Sequence, residues 1–346
     1  MTLRRKVFHL LTAMSAAFLV GTTSLTAVVA ASKRDDNIVS GKSTHAKVGQ
    51  YVNAKAAVTI DAKTGRILYN QNGQQKMPIA SVIKILTLAV IEQDVASGHL
   101  SWNQRVKINK PVAKIANDWH FSNVELDAGH RYTIRELAES MMIVSADGSA
   151  AALAIADASS TAKFNQKMQA VARKAGVKDA KIYNMIGLDN GSLGKLKLKG
   201  VPNSAENQLS ALDVAKISRY LIRHYPQSLS ITKGNHVNFR ANDHQQYDLV
   251  NINMMLSGNP LAPVGWDVDG LKTGTTDKAG NCFAGTEKDG SKRYITVVLN
   301  VQGNYNAQFT ETIKMLQDVS GKTITTQQTT QDNQQASNNG SLQPQQ

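Results

Sequence analysis

Apolar positions follow two periods along the chain and divide it into elements. Residues 56–61 (AAVTID) and 66–70 (RILYN) read as two strands flanking Ala62-Lys63-Thr64-Gly65. This predicts a β-hairpin in which Gly65 supplies a positive φ. Residues 81–95 (SVIKILTLAVIEQDV) are apolar, contain no Gly or Pro and follow Pro78, which predicts a buried helix. Thr133-Ile134-Arg135-Glu136 is a capping box opening a helix to about Val144. A short break at 145–148 precedes an alanine-rich helix over 149–158 and another over 161–175, stopped by Gly176. Ser210 caps a helix to about Arg223, with Pro226 beyond it. In the last third, 270–276, 282–287 and 293–301 read as strands, the latter two joined by a turn, and a helix follows over 307–318.

Strands thus lie at both ends of the domain around a mostly helical middle. To bury their apolar faces they must meet in one sheet. The expected class is α/β (α+β): an antiparallel sheet flanked by helices, with an inserted all-helical lobe at about 90–225. A cleft between the two lobes is the natural place for a site.

The ends differ from this domain. Residues 1–31 begin with Arg4, Arg5 and Lys6, continue through an apolar stretch over 7–20 and end in small residues. That is the pattern of a secretory signal peptide cleaved after Ala30 or Ala31. As a membrane anchor the stretch is poor, being interrupted by Thr12, Ser15 and Thr22 to Ser24. Residues 32–50 read as a polar linker. Residues 323–346 form a polar tail in which, from 325 on, Ala336 and Leu342 are the only aliphatic side chains, so disorder is expected. The domain proper is 51–322.

Composition narrows the function classes. The 346 residues are 42% hydrophobic and suffice for a real core. The single cysteine, Cys282, excludes an intrachain disulfide and a CxxC metal or redox site, and its apolar strand marks it as core. The formal charge of +13 suits a polyanionic partner or simply a soluble surface. Export and dispersed cations argue against nucleic acid, and an aromatic content of 5% offers no stacking platform. An anionic cell wall fits better. The expected location is secreted or extracytoplasmic, on a Gram-positive surface where disulfides are dispensable.

Several motifs mislead. Gly41-Lys42-Ser43 ends like a P-loop, but Asp36 stands where the first glycine belongs. The histidines lack H-E-x-x-H spacing and no G-x-S-x-G elbow occurs, so neither a zinc hydrolase nor an α/β-hydrolase triad is supported.

The chemistry lies elsewhere. Ser81-Val82-Ile83-Lys84 is S-x-x-K at the start of the buried helix, where residues three apart share a face. A desolvated lysine there can lose its proton near neutral pH and act as base toward the hydroxyl. Ser160…Lys163, Ser192…Lys195 and Ser230…Lys233 repeat the spacing, but in polar or glycine-containing contexts. Ser145-Ala146-Asp147 falls in the break between two helices, and Lys272-Thr273-Gly274-Thr275 on a predicted strand. A second Lys-Thr-Gly, at 63–65, is hairpin-turn composition.

In that order, S-x-x-K, S-x-N and K-T-G resemble the signature of penicillin-binding proteins and class A β-lactamases. The run from Val268 to Gly280, the hairpin and Ser210-Ala211-Leu212-Asp213 are similar to serine-type D-alanyl-D-alanine carboxypeptidases, the low-molecular-mass penicillin-binding proteins. The resemblance covers roughly 51–320 and implies a β-lactamase/transpeptidase-like fold. It implies that Ser81 attacks the terminal D-Ala–D-Ala carbonyl of the peptidoglycan stem peptide and forms an acyl-enzyme, with β-lactams as covalent inhibitors. Lys84 would take the serine's proton and later activate water, and Ser145 would relay a proton to the leaving D-alanine. Lys272 and Thr273 would hold the terminal carboxylate. Backbone N–H groups of Ser81 and Thr275 would form an oxyanion hole, at about 3 kcal/mol per donor. No metal or cofactor is implied.

One departure matters. The family usually has Asn where Asp147 stands. An ionised Asp only accepts hydrogen bonds, and its charge raises the pKa of Lys84. Two other readings follow: a class A-like β-lactamase, with Glu206-Asn207-Gln208-Leu209 mimicking E-x-x-L, and a non-catalytic wall- or β-lactam-binding protein. A second β-domain, a C-terminal amphipathic helix and an LPxTG motif have no place in the polar tail, which predicts release or loose wall association.

Overall fold

A computed structural model describes residues 50–242 and 245–331. The signal-like segment, nearly all of the 32–50 linker, Gly41-Lys42-Ser43, His9, His45, His244 and the tail beyond 331 lie outside the described residues.

One antiparallel sheet organises the chain. β1 (Ala54–Asp61) and β2 (Ile67–Gln71) form the expected hairpin, and β3 (Asp267–Thr276), β4 (Gly280–Asp289) and β5 (Lys292–Val301) form a meander. The strand order is β2-β1-β5-β4-β3. Strands from the two ends of the domain therefore pair at its centre, with Val58 opposite Val297. β3 lies at the sheet's edge. In the hairpin turn, Asp61 Oδ1 accepts from the Thr64 amide at 2.6 Å and hydroxyl at 2.8 Å, and Gly65 takes φ +78°.

Along β5, Ile295, Val297 and Leu299 enter one core while Tyr294 and Val298 enter another. That is the two-residue period of a strand buried on both faces. Among the described residues the longer helices are α1 (Lys84–Ala96), α2 (Lys110–Ala116), α3 (Ile134–Ile143), α4 (Asp147–Ala158), α5 (Thr161–Lys174), α6 (Ala211–His224) and α7 (Ala307–Ser320). α7 buries Phe309, Met315 and Leu316 against the smaller core.

Both sequence-predicted caps form. Thr133 Oγ1 accepts from the Glu136 amide at 3.1 Å while Glu136 Oε2 accepts from the Thr133 amide at 2.7 Å. Ser210 and Asp213 make the same reciprocal pair. Each satisfies donors that a helix N-terminus otherwise leaves open.

The structure differs from the sequence reading in several places. α6, expected in the inserted lobe, lies on β1 and β5. From it Arg219 donates to the hairpin carbonyls of Ala62 at 3.0 Å and Lys63 at 2.8 Å. An amphipathic stripe does not reveal whether it meets a sheet or other helices. The lobe is mainly helical but carries two antiparallel pairs, Arg105–Lys107 with Arg131–Thr133 and His236–Arg240 with Gln246–Val250. α4 begins at Asp147 instead of residue 149.

Finally, the described part of the polar tail, 323–331, packs on the domain. Ile324 is buried in the smaller core. The Val264 amide donates to Thr325 O at 2.9 Å, Gln327 to Ala262 O at 3.1 Å and Gln328 to Pro260 O at 2.9 Å. One apolar anchor and a row of backbone bonds hold a segment whose composition alone suggests disorder.

Candidate active site

Ser81 sits in a 3-10 turn, Ala80–Ile83, and α1 starts only at Lys84. Residues three apart eclipse in a 3-10 turn, so Lys84 comes into line with Ser81. Ala80 takes φ +47° at the entry to the turn. The Lys84 side chain is fully buried. Its Nζ donates to Ser81 Oγ at 2.6 Å, Asp147 Oδ1 at 2.5 Å and the Ile186 carbonyl at 2.9 Å, and lies 3.4 Å from Ser145 Oγ.

The break between α3 and α4 delivers Ser145 and Asp147. Ser145 takes φ +65°, and the amides of Asp147 and Gly148 donate to Ser122 O at 2.8 Å and Asn123 Oδ1 at 2.9 Å. α4 approaches α2 through Gly148, where a Cβ would lie 2.3 Å from that of Ala116.

β3 supplies the third stretch. Lys272 is buried, and its Nζ donates to Thr273 O at 3.0 Å and lies 3.4 Å from Thr273 Oγ1. Thr275 is exposed and donates its hydroxyl to Asn281 Oδ1 at 3.3 Å. The strand touches the Ser81 turn through Gly274: a Cβ there would stand 2.9 Å from Ile79 O, Ser81 N and Val82 N. Those are backbone atoms and cannot move singly. Gly274→Ala is therefore expected to push β3 away, lowering the melting temperature and slowing penicillin acylation at least tenfold. An alanine variant with wild-type melting and acylation would refute this close approach.

Burial dominates the electrostatics. It lowers the pKa of Lys84, against the opposing charge of Asp147. It raises that of Asp147, against the cations of Lys84 and Lys272. Lys272 is driven well below the ordinary lysine range by burial and then by repulsion from Lys84, with Asp147 in opposition. An incoming carboxylate would add a direct counter-charge to the one Asp147 exerts on Lys272.

Lys84 thus touches Ser81, Ser145 and Asp147, Lys272 is within electrostatic reach with Thr273 beside it, and Gly274 packs on the nucleophile's turn. Sequence reasoning missed the Ile186 carbonyl. The signal available was Asn184-x-x-Gly187, an Asn-initiated turn in a stretch otherwise left unassigned. Glu206 pairs with Lys278 at 2.7 Å. Cys282 is buried, and burial pushes its thiol up to about 12. Among the described residues no three His, Cys, Asp or Glu side chains are grouped to hold a metal ion.

A family model described as D-alanyl-D-alanine carboxypeptidase matches residues 41–303. The chain is 28% identical over 261 residues to D-alanyl-D-alanine carboxypeptidase DacF of Bacillus subtilis, covering 75% of this chain and 60% of that one. It thus spans about 60% of the length of the curated relatives it matches. A solved peptidoglycan synthesis regulatory factor (PBP3) from Streptococcus pneumoniae superposes with a TM-score of 0.73 at 36% identity, covering 78% of this chain and 74% of that one. Penicillin-binding protein D2 from Listeria monocytogenes, in its cefotaxime-bound form, gives 0.63 at 28% identity, covering 80% of this chain and 100% of that one. The architecture is that of these penicillin-binding proteins.

Proposed function

The chain belongs to the D-alanyl-D-alanine carboxypeptidase family, and on that premise we propose that it removes the terminal D-alanine from peptidoglycan pentapeptide stems. The observation that carries the reading is Lys84 Nζ standing 2.6 Å from Ser81 Oγ, buried and beside Ser145. The neutral amine takes the hydroxyl proton as Ser81 Oγ adds to the carbonyl of the penultimate D-alanine. The ester forms as the C–N bond breaks, and Ser145 passes the proton from Lys84 to the leaving amine. Water, deprotonated by Lys84, then cleaves the ester and returns a proton to Ser81. Lys272 and Thr273 hold the terminal carboxylate. The N–H groups of Ser81 and Thr275 stabilise the oxyanion, at about 3 kcal/mol each. A β-lactam would acylate Ser81 in the same way, but its leaving nitrogen stays tethered and the adduct persists.

The test is release of D-alanine from a synthetic pentapeptide, together with nitrocefin. Stoichiometric release and a stable nitrocefin adduct are expected. Rapid steady nitrocefin turnover would instead indicate a β-lactamase, and failure of both reactions a binding protein.

Asp147 sets the pH range. Its charge opposes the depression of the Lys84 pKa, so removing that charge frees the amine at lower pH. Asp147→Asn is expected to stay active and to move the acid limb of the pH–rate profile downward. Superimposable profiles would sink this account.

Peptidoglycan lies outside the cytoplasmic membrane, which suits export through the signal-like residues 1–31 and an extracytoplasmic, Gram-positive location. The basic charge suits loose association with an anionic wall. No helix among the described residues is long and apolar enough to cross a membrane.

A further inference from the structure

Lys84 is held partly by a main-chain group from far along the chain. Its Nζ donates to the Ile186 carbonyl at 2.9 Å. The loop bearing that carbonyl is tied at almost every residue. Asn184 is completely buried. Its Oδ1 accepts from the amides of Ile186 at 3.0 Å and Gly187 at 2.8 Å, and its Nδ2 donates to Leu188 O at 2.8 Å. Asn207, buried beneath it, accepts from the Tyr183 amide at 2.7 Å and donates to Asn184 O at 3.0 Å. Thr87, on the same helix as Lys84, donates to Met185 O at 2.9 Å. Gly187, at φ +106°, lies against the Ser81 turn, where a Cβ would stand 2.2 Å from Ala80 O.

We propose that Asn184 is a positioning residue for the nucleophile, aiming the Ile186 carbonyl at Lys84 and so fixing which side of the amine meets Ser81. The inference rests on the acyl-enzyme reading above. A neutral lysine has two N–H bonds and one lone pair. In the ammonium, Nζ donates to Ser81 Oγ, Asp147 and the Ile186 carbonyl. Once the amine is neutral, Asp147 and the carbonyl keep its two N–H bonds and the contact to Ser81 reverses. The lone pair then accepts from the hydroxyl, whose oxygen lies 3.4 Å from the same carbonyl. Without the carbonyl, the amine can turn and spend its lone pair elsewhere. The charged groups facing Lys84 are Asp147 from α4 and Lys272 from β3. Ser81 and Ser145 add neutral hydroxyls. Accepting from the ammonium, the carbonyl also favours its charged form.

The test is stopped-flow acylation of the full chain by a fluorescent penicillin across pH. Asn184→Ala is expected to slow acylation about 10- to 100-fold and to move the acid limb to lower pH. Asn184→Asp keeps an oxygen for both amide donors and is expected to recover most of the rate. Thr87→Val, nearly isosteric, should shift the limb in the same direction with a smaller rate loss, and it carries the test if Asn184→Ala does not fold. A purely structural role predicts lower melting temperatures with unmoved limbs in both Asn184→Ala and Thr87→Val, and that result overturns the proposal. If the wild-type chain itself fails to trap penicillin, the proposed function has failed and this inference falls with it.

Discussion

Ser81→Ala should abolish D-alanine release and covalent penicillin trapping while leaving the fold intact. The expected loss is roughly 10⁴- to 10⁶-fold, because removing the nucleophile leaves only binding and oxyanion stabilisation. The side chain is partly exposed, and its short contact is the one to Lys84. The melting temperature should therefore hold or rise slightly. Mass spectrometry after incubation with penicillin reads the first outcome and a thermal melt the second. Penicillin attached to Ser145 or any other residue in this variant would show that the nucleophile has been misassigned.

Lys84→Met has two expected effects. Removing the base costs acylation about 10²- to 10⁴-fold. It also leaves Asp147 buried without its cation, a loss of about 3–5 kcal/mol when the carboxylate is charged. Burial already lifts the Asp147 pKa above its ordinary 3.8, and Lys84 opposes that lift. Without Lys84 the folded-state pKa rises further above the unfolded value. The folded protein then binds more protons than the unfolded chain, so stability falls as pH rises above about 4. Adding Asp147→Asn should restore most of the stability and remove this pH dependence without restoring acylation. Urea denaturation at several pH values separates these outcomes. A Lys84→Met variant as stable as wild type throughout would mean that the buried pair carries no net charge interaction.

How much of this was legible beforehand depends on how local each signal is. The hairpin, the two helix caps and the strands of the sheet are written in neighbouring residues, and the sequence places them within a few positions. Ser81 and Lys84 are legible for the same reason, since a three-residue spacing on one helical turn is local. Ser145, Asp147 and Lys272 carry no such mark. Their meeting with Ser81 depends on how α3, α4 and β3 pack, and only the family resemblance pointed to it. The Ile186 carbonyl was invisible because a main-chain acceptor has no side-chain signature. The pair His236–Arg240 and Gln246–Val250 carries a legible signal that sequence reasoning missed: polar and apolar residues alternate in both strands, with Phe239 and Leu249 buried. α2 was missed for want of length, although Asn109 caps it by accepting from the Val112 amide at 2.9 Å.

The packed stretch from 323 to 331 bears on where foreign sequence can be attached. Its backbone bonds to 260–264 and the buried Ile324 close a seam over the smaller core. A purification tag or fluorescent fusion spliced in at residue 322 would strip that seam and wet the apolar surface beneath. The same cargo attached beyond 331 leaves it shut, and leaves the nucleophile's surroundings undisturbed.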